Sequence, residues 1–479
     1  MNRSTFLLLA VAAVGATACS DSALPPTSPG SLSPSLSVTG DAEDQYVILG
    51  AGNVLPGDLA ASVAAAGGTL VSSYGEIGVA VAIGGEGFAA AAEGIAGVES
   101  VVADIVIESP PPTRVHDLAG EGSGDITSEV ASLADNEPFY IFQWAPAAIQ
   151  APEAWNAGFT GRGVRVAILD GGLFDLHPDL AANTDRAASR SFVPGFAYNQ
   201  DVGTFWHGTH VAGIVAAADN SVGTIGIAPN ATLIGVKVLH NGSGSLSWLI
   251  SAIMYAATPR DEGGAGAHVI NMSLGGVIPA HRGNIGKDLK KSIKELTKAI
   301  DRATSFAWDA GVTVIAAAGN DAINFKQNKD VIHIPSMSAK VISVAATGPF
   351  GWALGATDFS RPASYTNGGR KAVDLAAPGG DFALPGTASC TVAFITTACW
   401  VFDMYLSTSR AGWSWAAGTS MASPVVSGIA ALIIEKNGGA LEPAQVKSLL
   451  QRGAIDLGKR GHDDVYGRGW VNALSSVSR

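Results

Sequence analysis

Apolar and polar positions along the chain follow two rhythms, separated by stretches that have none. From Pro138 onward, short apolar runs alternate with longer segments of helical period. Val164 to Leu169, Leu233 to Leu239, His268 to Met272, Val312 to Ala318, Val341 to Ala346 and Val373 to Leu375 read as strands. Their nearly continuous apolar character is that of strands covered on both faces. His207 to Ala218, Ser245 to Ala257, Lys290 to Ala310, a segment following Ser420, and Pro443 to Gln451 read as helices. This alternation predicts an α/β fold, a doubly wound and mostly parallel sheet with helices on both faces. Ligands bind such sheets beyond the carboxyl ends of the strands, so residues that follow strands are the first candidates for chemistry.

Asp44 to Glu108 has a different pattern. Tyr46 to Leu49, Thr69 to Ser73, Val79 to Ile83 and Val98 to Val102 read as strands, with helices at Gly57 to Ala66 and Gly87 to Ala92. The result is a small α+β domain of about 65 residues, near the lower limit for independent folding. Residues 109–137 begin with Pro110-Pro111-Pro112 and mix prolines, glycines and acidic residues without an apolar period, as a linker does. Residues 19–43 are rich in Ser, Pro and Gly and read as a flexible tether.

Residues 1–18 have the form of an export signal. Arg3 supplies the positive start, Phe6 to Val14 the apolar stretch, and Ala16-Thr17-Ala18 the small-residue cleavage site. Cys19 follows at once, as in bacterial lipoprotein signals, although Ala16 stands where those usually carry Leu. Release outside the cell and lipid anchoring through Cys19 are therefore both open. No later run is long and apolar enough to read as a membrane span. Composition narrows the partners. With 41 acidic against 29 basic residues and a net charge of −12, the chain lacks the basic field that nucleic acid requires. The other two cysteines, Cys390 and Cys399, are expected to form one disulfide in an exported chain.

Three residue types placed at strand ends or helix starts then change the picture. Asp170 ends the apolar strand Val166-Ala167-Ile168-Leu169, where an ionised carboxylate is costly unless a partner uses it. His207 opens the helical segment His207-Gly208-Thr209-His210-Val211-Ala212-Gly213. Ser420 lies in Gly418-Thr419-Ser420-Met421-Ala422-Ser423-Pro424, between small residues where a loop becomes a helix. Taken alone, Ser420 fits a helix N-cap as well as a nucleophile. Together the three supply an attacking hydroxyl, a base for its proton and a carboxylate that fixes the imidazole tautomer. Their order is Asp, His, Ser.

These segments resemble the three active-site signatures of the subtilisin-type serine proteases, the subtilases, over roughly residues 138–479. The resemblance implies a subtilisin-like fold and a serine endopeptidase acting on protein or peptide substrates through an acyl-enzyme, without a catalytic cofactor and as a monomer. It further implies that residues 44–108 are a propeptide acting as an intramolecular inhibitor, that a processing site lies within 109–137, and that the chain is made as an autoprocessed zymogen. Asn320, in Ala316-Ala317-Ala318-Gly319-Asn320, matches the oxyanion-hole asparagine, whose loss costs ~10²–10³ in kcat, a magnitude measured in subtilisin itself. Ser273, Leu274 and Gly275 match one substrate-binding edge, and Gly242, Ser243 and Gly244 the opposing one. Asp321 beside Asn320 leaves the side-chain preference open between large apolar and basic. The segment Asp219-Asn220-Ser221-Val222-Gly223-Thr224 resembles a structural calcium loop. The Asn220 side chain, the carbonyls of Ala218, Val222 and Thr224, and the Asp179 carboxylate would be its ligands, with Glu137 a further candidate.

Other features read as structural. His207 and His210 share a helical face but lack the intervening glutamate of a zinc protease, so His210 is expected to be a packed histidine. His177, His240 and His268 have no partner visible in the sequence. The basic run Lys287 to Lys298 is expected to form a solvated helix face. Gly380 to Ala416 is longer than in compact relatives and carries both cysteines, which suggests a disulfide-closed flap beside the cleft.

Overall fold

The computed structural model describes residues 44–108, 115–118, 136–203, 206–280, 286–410 and 412–479. The expected export signal, Cys19 and the tether lie outside the described residues. The N-terminal part comprises β1 (Gln45–Gly50), α1 (Leu59–Ala65), β2 (Gly68–Tyr74), β3 (Val79–Gly84), α2 (Phe88–Glu93) and β4 (Val98–Ala103). Its four strands form an antiparallel sheet in the order β2-β3-β1-β4. Because side chains alternate across a strand, Ile48, Ala80 and Val101 face α1 and α2, where they meet Leu59, Val63 and Phe88. Val47, Leu49, Val79 and Val102 face the other way and join a core of the larger body.

Two short strands follow, β5 (Val106–Glu108) and β6 (Val115–Asp117), the latter inside the stretch read as a linker. Three residues are too few to show a period, and β6 is a strand because a distant strand supplies its hydrogen bonds. After the short helices α3 (Trp144–Ala148) and α4 (Ala151–Asn156) the main sheet begins with β7 (Arg165–Asp170), β8 (Arg190–Ser191), α5 (His207–Ala216), β9 (Thr232–Lys237), β10 (Ser243–Ser245), α6 (Leu246–Ala257) and β11 (Val269–Met272). It continues with β12 (Gly276–Pro279), α7 (Lys287–Asp309), β13 (Thr313–Ala317), β14 (Val331–Ile334), β15 (Val341–Thr347) and β16 (Leu375–Pro378). The last stretch holds β17 (Ser389–Val392), β18 (Ile395–Ala398), β19 (Tyr405–Ser409), β20 (Gly412–Ala416), α8 (Thr419–Lys436), α9 (Pro443–Gly453) and α10 (Ala473–Val477).

The main sheet has seven parallel strands in the order β16-β15-β13-β11-β7-β9-β8. Alternate residues of β7 enter opposite cores: Val166 and Ile168 pack with α5 and α8, Ala167 and Leu169 with α6 and α7. That two-sided burial is why the strands read as unbroken apolar runs. The chain builds β8 and β9 on one side of β7, then crosses to build β11 onward on the other. The switch point therefore lies between β7 and β11, the place where sheets of this kind bind ligands beyond the strand ends.

The basic run of α7 is solvated in part, with Lys287, Lys291 and Lys294 exposed, and paired in part. Lys291 pairs with Glu93, Lys298 with Glu99, and Arg302 with Glu99 at 3.3 Å. Arg302 also donates to the carbonyls of Ile77 and Gly78 at 3.2 and 3.1 Å. Within the run, Lys291 and Lys298 thus reach the N-terminal domain, as does Arg302 beyond it. Nothing in the local sequence distinguishes that from solvation, because the complementary carboxylates lie about two hundred residues away.

Candidate active site

Asp170 is the last residue of β7, and its side chain is 1% exposed. Its Oδ1 lies 2.8 Å from His207 Nδ1 and accepts from the Gly171 amide at 2.6 Å. His207 is the first residue of α5, which approaches β7 closely because position 208 is glycine. A Cβ there would sit 2.0 Å from the Gly172 carbonyl oxygen and 3.0 Å from Asp170 Cβ. Burial pulls the His207 pKa down, but the adjacent Asp170 charge, its hydrogen bond and the charge of Asp201 outweigh burial, so the pKa lies above 6.5.

Ser420 is the second residue of α8, with Gly418 at the N-cap, so it is not itself the cap. It is 8% exposed. Continuing the β7–β11 register brings Ser273 beside Asp170 at the sheet rim. There the Ser420 hydroxyl donates to the Ser273 carbonyl at 3.2 Å, and the Ser273 hydroxyl donates to the Ser420 carbonyl at 2.8 Å. Asn320 follows β13, and its Oδ1 accepts from both the amide and the hydroxyl of Thr419 at 2.8 Å. With Oδ1 so engaged, the amide presents its NH₂ end for donation. The Ser420 N–H, in the first helical turn, lacks an intrahelical carbonyl. The three residues singled out in the sequence and Asn320 thus come from four elements to one rim.

The substrate-edge candidates divide. Leu274 is buried in the core formed with α6 and α7, and Gly275 takes φ +147° beside the Ile334 carbonyl. Gly242, with φ +82°, turns the chain into β10, where Ser243, Gly244 and Ser245 pair antiparallel with Glu108, Ile107 and Val106 of β5. The edge expected to hold a substrate therefore holds the end of the N-terminal domain. Asp321 is tied to Asn367, whose Nδ2 donates to Asp321 Oδ2 at 2.9 Å.

Sequence reasoning missed the charged groups behind the dyad. Asp201 is buried and accepts from the amide and hydroxyl of Thr209 at 2.8 and 2.7 Å. Burial and the Asp170 charge raise its carboxyl to about 7. Buried Lys237 donates to the carbonyls of Gly171, Gln200 and Leu239, and so ties down the chain that follows Asp170. The signal was present: a lysine inside the apolar strand Leu233 to Leu239 is unusual without a dedicated acceptor set. The histidines read as structural have structural partners. His210 Nε2 lies 3.0 Å from the Ser414 carbonyl, His177 Nε2 lies 2.7 Å from that of Gly412, His268 Nδ1 accepts from Arg165, and His240 stacks on Phe196.

In the calcium-like loop, Asp179 Oδ2 accepts from the Thr224 amide at 2.9 Å and from the Trp413 indole at 2.7 Å. Asp179 Oδ1 is buried with no partner among the described residues. Glu137 accepts from the amides of Asn220 and Ser221 at 2.9 and 3.0 Å. Among the described residues no three His, Cys, Asp or Glu side chains gather as a metal site. A hard cation held by one carboxylate and several carbonyl and amide oxygens fits this donor set. Cys390 and Cys399 are bonded and close the β17–β18 hairpin.

Comparison with known proteins identifies the family. The profile of the subtilase family matches residues 161–469. An alkaline protease of Alkalihalobacillus alcalophilus is 35% identical over 352 residues, spanning 73% of this chain and 72% of the relative. Subtilisin Savinase of Lederbergia lenta is 35% identical over 336 residues, 70% of this chain and 98% of that one. Among solved structures, the epidermin leader peptide processing serine protease of Staphylococcus aureus superposes with a TM-score of 0.68 at 22% identity, covering 91% of this chain and 97% of that chain. At that identity the likeness speaks for the fold.

Proposed function

The chain belongs to the subtilase family and is a serine endopeptidase acting on peptide or protein substrates, and from that premise we propose that Asp170, His207 and Ser420 are its catalytic triad. The observation that carries the assignment is the 2.8 Å contact of His207 Nδ1 with buried Asp170, at the switch-point rim that also holds Ser420. Rotation about the Ser420 χ1 turns its hydroxyl from the Ser273 carbonyl toward His207 Nε2. His207 then takes the proton as Ser420 attacks the scissile carbonyl, and Asp170 stabilises the imidazolium. The Asn320 NH₂ and the Ser420 N–H receive the developing oxyanion. His207 next protonates the leaving amine, and water hydrolyses the acyl-enzyme by the same route.

The base must be neutral to act. Because the His207 pKa lies above 6.5, kcat/KM is expected to rise with pH and to reach half its plateau above pH 6.5, measured on the processed enzyme with a neutral peptide. A profile flat from pH 6 to 8 contradicts the assignment of His207 as base.

Residues 44–108 are, on this reading, an inhibitory propeptide of an exported, self-processed zymogen. The support is that β5 lies along the β10 edge and that the domain docks on α7 through Arg302 and its lysine neighbours. Arg302 has a side chain only 9% exposed. Arg302→Ala is expected to weaken inhibition of the processed enzyme by separately added propeptide about tenfold or more, the scale of a charged hydrogen-bond donor. An unchanged inhibition constant contradicts this docking surface. Release of the mature enzyme outside the cell rests on the N-terminal signal. A mass spectrum of the mature N-terminus locates the cut and tests whether Cys19 remains as a lipid anchor.

Asp179, Asn220 and the carbonyls of Ala218, Val222 and Thr224 would hold a structural Ca²⁺, which would compensate the buried Asp179 oxygen. Calcium at a hundredfold above its Kd stabilises by about 2.7 kcal/mol. Chelation is expected to lower Tm reversibly, and Asp179→Asn to abolish the calcium response. A Tm indifferent to chelator contradicts the site.

A further inference from the structure

Two glycines near the nucleophile are faced by one side chain. β11 and β13 are parallel neighbours, with Met272 level with Ala316, and three further residues bring Gly275 level with Gly319. Both glycines have positive φ, +147° and +98°. A Cβ at Gly275 would lie 2.6 Å from His333 Cε1 and 3.1 Å from its Nε2, and a Cβ at Gly319 would lie 2.8 Å from its Cδ2 and Nε2. The outer edge of a single imidazole is therefore seated between the two chain segments that leave the sheet. His333 belongs to β14, opposite Val277 of β12, and its Nδ1 lies 2.8 Å from the Ser336 hydroxyl. The residue is 3% exposed, so the ring fills the space it enters.

What lies on either side gives that ring its meaning. Gly319 precedes Asn320, and Gly275 is two residues beyond Ser273, whose hydroxyl and carbonyl both contact Ser420. A carbonyl attacked by Ser420, with its oxygen at Asn320, carries its α-carbon between these two segments, and the side chain on that carbon descends toward His333. We propose that His333 is the floor of the pocket for that side chain, raised so far that the enzyme cuts after small residues such as Gly, Ala and Ser and excludes large apolar and basic ones. This rests on the triad reading above, because Ser420 and Asn320 fix where the carbonyl sits.

The surroundings favour selection by size over selection by charge. Burial pulls the His333 pKa well below 6.5, against the raising influence of Asp321, so the ring is neutral at pH 7 and offers a substrate no charge. Asp321, the carboxylate that could have drawn a basic side chain, is engaged elsewhere. Its Oδ2 accepts from Asn367 Nδ2 at 2.9 Å, and its amide donates to Asn367 Oδ1 at 3.1 Å. The floor is also held in place, by Ser336 at one end of the ring and by two backbone segments at the other. A large side chain would have to displace the imidazole from a packed site, and that clash discriminates against it.

The test starts with a mixed peptide library digested by the processed enzyme and by Ser420→Ala, the cut positions being read by mass spectrometry. Absence of Ser420-dependent cleavage overturns the triad reading and this inference with it. With cleavage present, the inference expects Gly, Ala and Ser to dominate the residue before the cut. Quenched fluorescent peptides are then built on the best-cut sequence with Ala, Leu, Phe or Lys at that residue. The Ala peptide should exceed the Phe peptide in kcat/KM by about a hundredfold or more. His333→Gly should raise the ratio of Phe to Ala by about the same factor. If the parent enzyme cuts mainly after large apolar or basic residues, the pocket floor is overturned while the triad stands, and this holds whether or not the variant folds. A folded His333→Gly enzyme with the parent's ratio overturns it equally.

Discussion

Ser420→Ala is expected to remove about six orders of magnitude from kcat, the loss measured for the same kind of replacement in subtilisin, a relative. The variant should fold. Alanine is the best helix former, position 420 lies in the first turn of α8, and the hydroxyl removed makes one bond, to the Ser273 carbonyl. On the triad assignment, what disappears is the atom that would form the acyl-enzyme. If processing is intramolecular, this variant also accumulates at precursor mass, with β5 still on β10. Residual turnover within tenfold of the parent enzyme would mean that another residue attacks.

The second large effect concerns Asp170. Asp170→Asn keeps the shape but replaces an acceptor with an amide, so His207 Nδ1 no longer finds a carboxylate at 2.8 Å. In a serine protease of unrelated fold the same change lowers kcat about 10⁴-fold by favouring the wrong tautomer. Here a second consequence follows. The Asp170 charge is the largest of the influences that raise the His207 pKa, so removing it should move the acid limb of kcat/KM to lower pH. Burial then acts on a histidine without its counter-ion and favours the neutral ring. Loss of rate without that shift would leave Asp170 a packing residue. A rate loss accompanied by the shift marks it as the group that positions and charges His207.

The fold was largely legible because strands buried on both faces carry unbroken apolar runs. The five sheet strands expected between Val164 and Ala346 appear within about two residues of where the pattern places them, while the two-residue edge strand β8 was not expected. Val373 to Leu375 is the exception. The strand starts at Leu375, because Val373 and Asp374 belong to the turn that enters it. The triad candidates were legible for a related reason: each stands at a strand end or helix start, where polar residues interrupt apolar sequence. What remained hidden was pairing between distant segments. β5, β6 and β10 are three residues each, too short for periodicity, and exist through partners far away in the chain. The pairing of Lys291 and Lys298 of α7 with carboxylates of the N-terminal domain was hidden for the same reason. Asp201 and Lys237 were missed because their roles depend on Thr209 and, besides nearby Leu239, on the backbone carbonyls of Gly171 and Gln200, which are distant in sequence.

The measurement that bears most directly on the triad is the site of a covalent inhibitor. The processed enzyme is treated with a peptidyl phosphonate, digested, and mapped by mass spectrometry, in parallel with His207→Ala. The triad requires one adduct, on Ser420, formed rapidly in the parent enzyme and slowed by orders of magnitude without His207. An adduct on another serine, or labelling of Ser420 at an unchanged rate in His207→Ala, contradicts it.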